Sequence, residues 1–156
     1  MKDPVDALTT SSLYKNGFTF LGNLEELLSK GLPKLEVLRS SGVYAISLPK
    51  RYIPKFIKPD EAKKKKNVIN PWEVSELKNK WVDGVEIIYY GAAGISSHRS
   101  LKKRLNDLRR HGNGKAQGGG PHTGGEILWQ LSGYEKFGLW AKATENPQHP
   151  EFMNVN

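Results

Sequence analysis

Three side chains, Tyr44, Tyr89 and Arg104, carry the most pointed chemistry in this chain. A phenol can hold or accept a proton, and with a reference pKa near 10 it needs a cation beside it to act as a base near neutrality. A guanidinium stays charged and matches phosphate oxygens with its fork of donors. Two phenols and one guanidinium gathered at one surface could therefore do proton chemistry on a phosphodiester. Each residue alone has a plainer reading. Strands favour tyrosine for packing, and a helix arginine is most often a solvated cation.

The surrounding sequence supplies elements that could bring the three together. Gly42-Val43-Tyr44-Ala45-Ile46-Ser47-Leu48 reads as a strand ending at Pro49, and Val85-Glu86-Ile87-Ile88-Tyr89-Tyr90 as a second, ended by Gly91-Ala92-Ala93-Gly94. Tyr90 alternates to the opposite face from Tyr89, so only one of the two can share a surface with Tyr44. Ser100 is a cap for a helix over 101–111 stopped at Gly112, with Leu101, Leu105 and Leu108 as one apolar stripe. Arg104 lies on the flank of that stripe. His111, seven residues on, falls on nearly the same face roughly 10 Å further along the axis. Lys102, Lys103, Arg109 and Arg110 point elsewhere and suit backbone phosphates.

Outside this group, residues 1–16 read as a loose leader. Asn23 caps a short helix that Gly31 stops. Residues 49–80 interrupt the pattern with three prolines after Pro49 and the run Lys63-Lys64-Lys65-Lys66. Such a run is either a solvated face or a loop that tracks a phosphate backbone. Trp72 and Trp81 predict that part of this insert packs down. Residues 112–125 hold seven glycines and read as a mobile loop, Glu126–Leu131 as a short helix, and 137–143 as a third strand.

Composition narrows the function classes. A chain of 156 residues with 37% apolar and 26% charged residues suits one globular domain. It contains no apolar run of about 18 residues, the length a spanning helix needs, and no apolar segment follows Met1-Lys2-Asp3-Pro4. Cysteine is absent, which excludes disulfides and thiolate zinc sites and suits a cytoplasmic location. The four histidines lack close paired spacing for zinc. Gly112-Asn113-Gly114-Lys115 lacks the leading glycine and the following Ser or Thr of a Walker loop. The formal charge is +8. Within 99–115, Arg99, Lys102, Lys103, Arg104, Arg109, Arg110 and Lys115 face one acid, Asp107. That clustering is the footprint of a polyanionic partner, with nucleic acid the first expectation.

In order along the chain, Gly42-Val43-Tyr44, Tyr89-Tyr90-Gly91 and Ser100-Leu101-Lys102-Lys103-Arg104-Leu105 resemble the two signature tripeptides and the following helix of the GIY-YIG nuclease family. His122-Thr123-Gly124-Gly125-Glu126-Ile127-Leu128-Trp129 resembles a stretch of its restriction-enzyme-like members. The likeness covers about residues 40–152. It implies an α+β domain with a small three-stranded antiparallel sheet flanked by helices. Residues 1–39 would then be a leader and a helix packed on the core, and 40–156 the nuclease domain with a basic insert at about 49–80.

The implied activity is metal-dependent DNA endonuclease chemistry. Tyr44 would be the general base and Tyr89 would hold water and phosphate. Arg104 would neutralise charge on the phosphoryl oxygens. The implied cofactor is Mg²⁺ or Mn²⁺, held through a glutamate after the third strand. Glu151 fits by position and Glu145 is the runner-up. Family members place a histidine one turn after the arginine, where this chain has Leu108; His111 or His122 could substitute, with helical geometry favouring His111. The implied DNA contacts are Lys102, Lys103, Arg109, Arg110, Lys115 and His122.

The chain departs from the family in two ways. Its signature tyrosines stand 45 residues apart, so an insert must loop out of the sheet. The family's closing helix and late asparagine have no counterpart after Glu151, which reads as a domain truncated at its C-terminus, one with a short last helix and an incomplete active site, or one completed by a partner such as a second copy in a homodimer. A non-cleaving DNA-binding module with the same fold is the alternative to a nuclease.

Overall fold

The computed structural model describes residues 9–68, 70–94, 100–115 and 127–145. In chain order these form α1 (Thr10–Lys15), β1 (Thr19–Asn23), α2 (Leu24–Lys30), β2 (Gly42–Ser47), α3 (Pro59–Ala62), α4 (Val74–Lys80), β3 (Ile87–Ala93), α5 (Leu101–Gly112) and β4 (Gly138–Ala143). The α+β class is as expected, but the sheet has four strands rather than three. It is antiparallel throughout, in the order β1-β4-β2-β3. The additional strand, β1, pairs along β4 through Phe20↔Trp140 and Asn23↔Gly138.

The expected leader is also structured from residue 9 onward. Thr9 caps α1 by accepting from the Ser12 amide. Leu13 and Phe18 are buried on the sheet against Val43, Ala45, Ile87 and Trp140. This short segment therefore covers the sheet face opposite α5. At six residues, α1 is too short to be stable without that packing.

The predicted helix boundaries follow from the caps. Asn23 Oδ1 accepts from the Glu26 amide at 2.9 Å while Glu26 Oε1 accepts from the Asn23 amide at 3.3 Å, a reciprocal box that starts α2. Gly31, at φ +85°, ends it. The Ser100 side chain accepts from the Lys103 amide and starts α5. The buried residues of α5 are Leu101, Leu105, Leu108 and His111, which places the leucine stripe against the sheet as its spacing requires.

The main core lies between α2, α5 and the sheet face bearing Tyr44, Ile46, Leu139 and Ala141. The insert closes one side of it. Gln130, with no exposed surface, acts as a clamp. Its Oε1 accepts from the Trp72 amide at 2.7 Å, and its Nε2 donates to Ile57 O at 3.1 Å and Trp72 O at 2.9 Å. Every polar atom of that buried amide is thereby satisfied, as burial demands. Trp81 packs against Tyr52 and Phe56. The insert thus adheres to the core through both tryptophan neighbourhoods. Of the expected 126–131 helix, Glu126 lies outside the described residues, 127–128 are helical, and the buried Trp129, Gln130 and Leu131 follow outside the helix.

Candidate functional site

Tyr44 occupies the middle of β2, a strand flanked on both sides by partners, and all six residues of that strand are buried. Its cross-strand neighbour in β3 is Gly91. A Cβ at Gly91 would run into the ring and hydroxyl of Tyr44, so the glycine of Tyr89-Tyr90-Gly91 is the space in which the Tyr44 ring lies. The glycine of the first tripeptide has a matching cause. A Cβ on Gly42 would collide with Lys142 O and come within 2.7 Å of Leu101 Cδ1, so this residue lets β2, β4 and the start of α5 close together. Both glycines are therefore explained by packing alone.

Between Ile46 and Ser47 the register with β3 shifts, so that Ile46 faces Tyr89 and Ser47 faces Ile87. Such a bulge turns two successive residues to one side. Ile88 and Tyr89 both pack on the main core, whereas Tyr90 and Ala92 pack on the opposite face. Of the two tyrosines, Tyr89 shares a face with Tyr44. Their ring centroids are 5.8 Å apart at 40°.

Arg104 reaches the same place from α5. The Tyr44 hydroxyl interacts electrostatically with both the Tyr89 hydroxyl and the Arg104 guanidinium. Burial, above all, and then Tyr89 push Tyr44 well above the ordinary phenol pKa; the Arg104 charge pulls it down but is outweighed. Tyr44 therefore keeps its proton at neutral pH in this state. Arg104 Nε is buried and has no hydrogen-bond partner among the described residues. A donor left in that condition is costly, of the order of 1–3 kcal/mol, and an arriving acceptor would relieve it. Tyr44 is 0% exposed, while Tyr89 and Arg104 are half-buried.

The remaining candidates among the described residues fall elsewhere. His111 is 2% exposed, stands edge-on to Trp129 at 6.4 Å, and has neither ring nitrogen hydrogen-bonded among the described residues. Burial lowers its pKa, so it is a neutral core imidazole at the far end of α5. Helical spacing carried it inward, as expected, but also out of reach of solvent.

Arg109 Nε donates to Leu27 O at 2.8 Å and so ties α5 to the end of α2, a structural duty that its sequence position did not reveal. Lys102, Lys103, Arg110 and Lys115 are exposed. His122 and Glu151 lie outside the described residues, as do most of the glycine-rich loop and the C-terminal tail. Glu145, just past β4, is exposed.

No group of three or more His, Cys, Asp or Glu suited to a metal occurs among the described residues. With Tyr44 protonated as well, these residues do not by themselves make a site for Mg²⁺ or Mn²⁺, which prefers carboxylates, substrate oxygens and water. No described helix is long and apolar enough to cross a membrane. Comparison of the chain with protein-family models, curated proteins and solved structures found no match to any of them.

Proposed function

We propose that the protein is a DNA phosphodiesterase of GIY-YIG type, with Tyr44, Tyr89 and Arg104 at its active site. The observation that carries this reading is the meeting of two phenols from adjacent strands with one guanidinium from α5, including a buried Arg104 Nε that lacks an acceptor among the described residues. A phosphate oxygen is an acceptor of the kind that this donor suits. Arg104 would stabilise charge on the phosphoryl oxygens, and Tyr89 would orient the phosphate at the entrance. Tyr44, behind them, would exchange a proton with the reacting oxygens. As a base it requires more positive charge beside it than Arg104 supplies. The dependence on a divalent metal rests on the family resemblance, and no step is derived through the ion.

The test is nicking and linearisation of supercoiled plasmid with Mg²⁺ or Mn²⁺, with and without chelator. Cleavage abolished by chelation and by Tyr44→Phe supports the proposal. Absence of cleavage on plasmid, duplex and single-stranded DNA under every divalent ion rejects it. A second reading, a DNA-binding module that does not cut, draws on the complete burial and raised pKa of Tyr44. Salt-dependent binding without turnover would support that reading.

A further inference from the structure

The lysine run of the insert and the end of α5 are separated by more than 40 residues, yet the fold joins them. Asn67 Nδ2 donates to Gly112 O at 3.2 Å. A Cβ on Gly114 would lie 2.6 Å from Lys66 Cβ, so the lysine turn is seated on the residues that close α5. Lys65 leans over the Tyr134 ring at 5.5 Å, which fixes the turn from its other side. Lys63, Lys64 and Lys66 remain exposed, as do Arg110 and Lys115 next to them in the fold. Among the described residues no salt bridge holds these five side chains. The acids Asp60 and Glu61 precede the run on α3 and are exposed.

We infer that the Lys63–Lys66 turn and the C-terminal end of α5 form one phosphate-binding surface for the backbone of duplex DNA, separate from the Tyr44 site; this rests on the DNA reading above. The surface is an extension of the helix that bears Arg104. From Arg104 to Arg110 the axis advances about 9 Å. That is close to three steps along a duplex at about 3.4 Å each.

The chemistry favours a duplex over single strands or lipid. Sequence-tolerant binding of single strands uses exposed aromatic rings as stacking platforms. Among the described residues the exposed large hydrophobic side chains are Tyr14, Phe20, Leu35, Ile53 and Val82, none of them in this surface. Tyr134 is half-buried and covered by Lys65, and the neighbouring Trp129 ring is buried. Contacts of this kind position the duplex without reading its sequence.

The experiment is duplex binding by fluorescence anisotropy across a salt series, using the whole chain with Lys63, Lys64 and Lys66 all changed to Gln. A matched control changes the exposed Lys15, Lys34 and Lys50 to Gln. Each lost phosphate contact lowers the slope of log affinity against log salt by roughly 0.9, so the first variant should lose about 2 to 3 units and the control less than about 1. An unchanged slope in the first variant overturns the inference. So does an equal loss in both variants, which would mean diffuse charge, or lysine-run-dependent binding to anionic vesicles with none to duplex DNA. The readout is independent of cleavage. A slope change in a protein that never cuts keeps this surface and removes the phosphodiesterase, and cleavage with an unchanged slope does the reverse.

Discussion

The two ends of α5 present the same problem with opposite outcomes. Near its start, Arg104 turns inward and meets Tyr44 and Tyr89, while Tyr89 and the arginine keep partial contact with solvent. At its finish, His111 turns inward and meets the Trp129 indole, with 2% of its surface exposed. Both places hold buried polar atoms without partners among the described residues: Arg104 Nε at one, and His111 Nδ1 and Nε2 with Trp129 Nε1 at the other. The difference lies in ionisation and access. A guanidinium cannot shed its charge, so its surroundings must stay polar or await an anion. An imidazole escapes the cost of burial by going neutral, and it then behaves as a core ring. A seven-residue spacing on one helix face thus gives one residue suited to an anion and one suited to a core.

The largest expected contrast is catalytic. Arg104→Ala should lower plasmid cleavage by about 10³-fold, in the range seen for loss of a donor to a developing oxyanion. His111→Leu should leave cleavage within about threefold of the unmodified protein. A similar loss from His111→Leu would break the comparison and return the histidine to the active site.

The next contrast concerns two of the glycines that face aromatic rings, Gly91 and Gly112. Gly91→Ala drives a methyl into the Tyr44 ring, fixed inside the sheet, and should destabilise the protein by about 1–3 kcal/mol in chemical denaturation. Gly112→Ala meets the tip of Leu28 at 2.5 Å and the Trp129 ring at 2.8 Å, but it also gains about 1 kcal/mol of helix propensity. The smaller loss should therefore fall on Gly112.

A smaller effect is expected from pH. His111 has its pKa lowered in the folded state, so the unfolded chain binds the proton more readily. Its contribution is flat above the unfolded value of about 6.5 and becomes destabilising as pH falls below it, levelling off beneath the lowered folded value. His111→Leu removes that slope and should raise stability at pH 7 by about 1 kcal/mol, because an imidazole without partners among the described residues gives way to an apolar side chain. Denaturation series at pH 5, 6 and 7 compare the two proteins. An unmodified protein as stable at pH 5 as at pH 7, with a variant of equal profile, would place His111 in a wetter setting.

Much of this arrangement was legible from local chemistry. The leucine stripe with its Ser100 cap marked α5, the Asn23 cap and Gly31 stop marked α2, and strict alternation separated Tyr89 from Tyr90. The register bulge beside Tyr89 was not legible, because it arises from pairing with β2. Strand β1 was hidden for a similar reason. Thr19–Asn23 is five residues long and contains Gly22, and it becomes a strand by pairing along β4. The clamp by Gln130 and the tether from Arg109 were equally silent, since a glutamine or arginine in sequence carries no sign of a backbone partner 58 to 82 residues away.

The most direct test pairs binding with cleavage in Tyr44→Phe, which removes one hydroxyl and keeps the ring that fills the space over Gly91. The phosphodiesterase reading predicts duplex affinity within about threefold of the unmodified protein and a cleavage rate lower by about 10²–10⁴-fold. Cleavage at the unmodified rate, with binding intact, would contradict it and leave the Tyr44 phenol a part of the core.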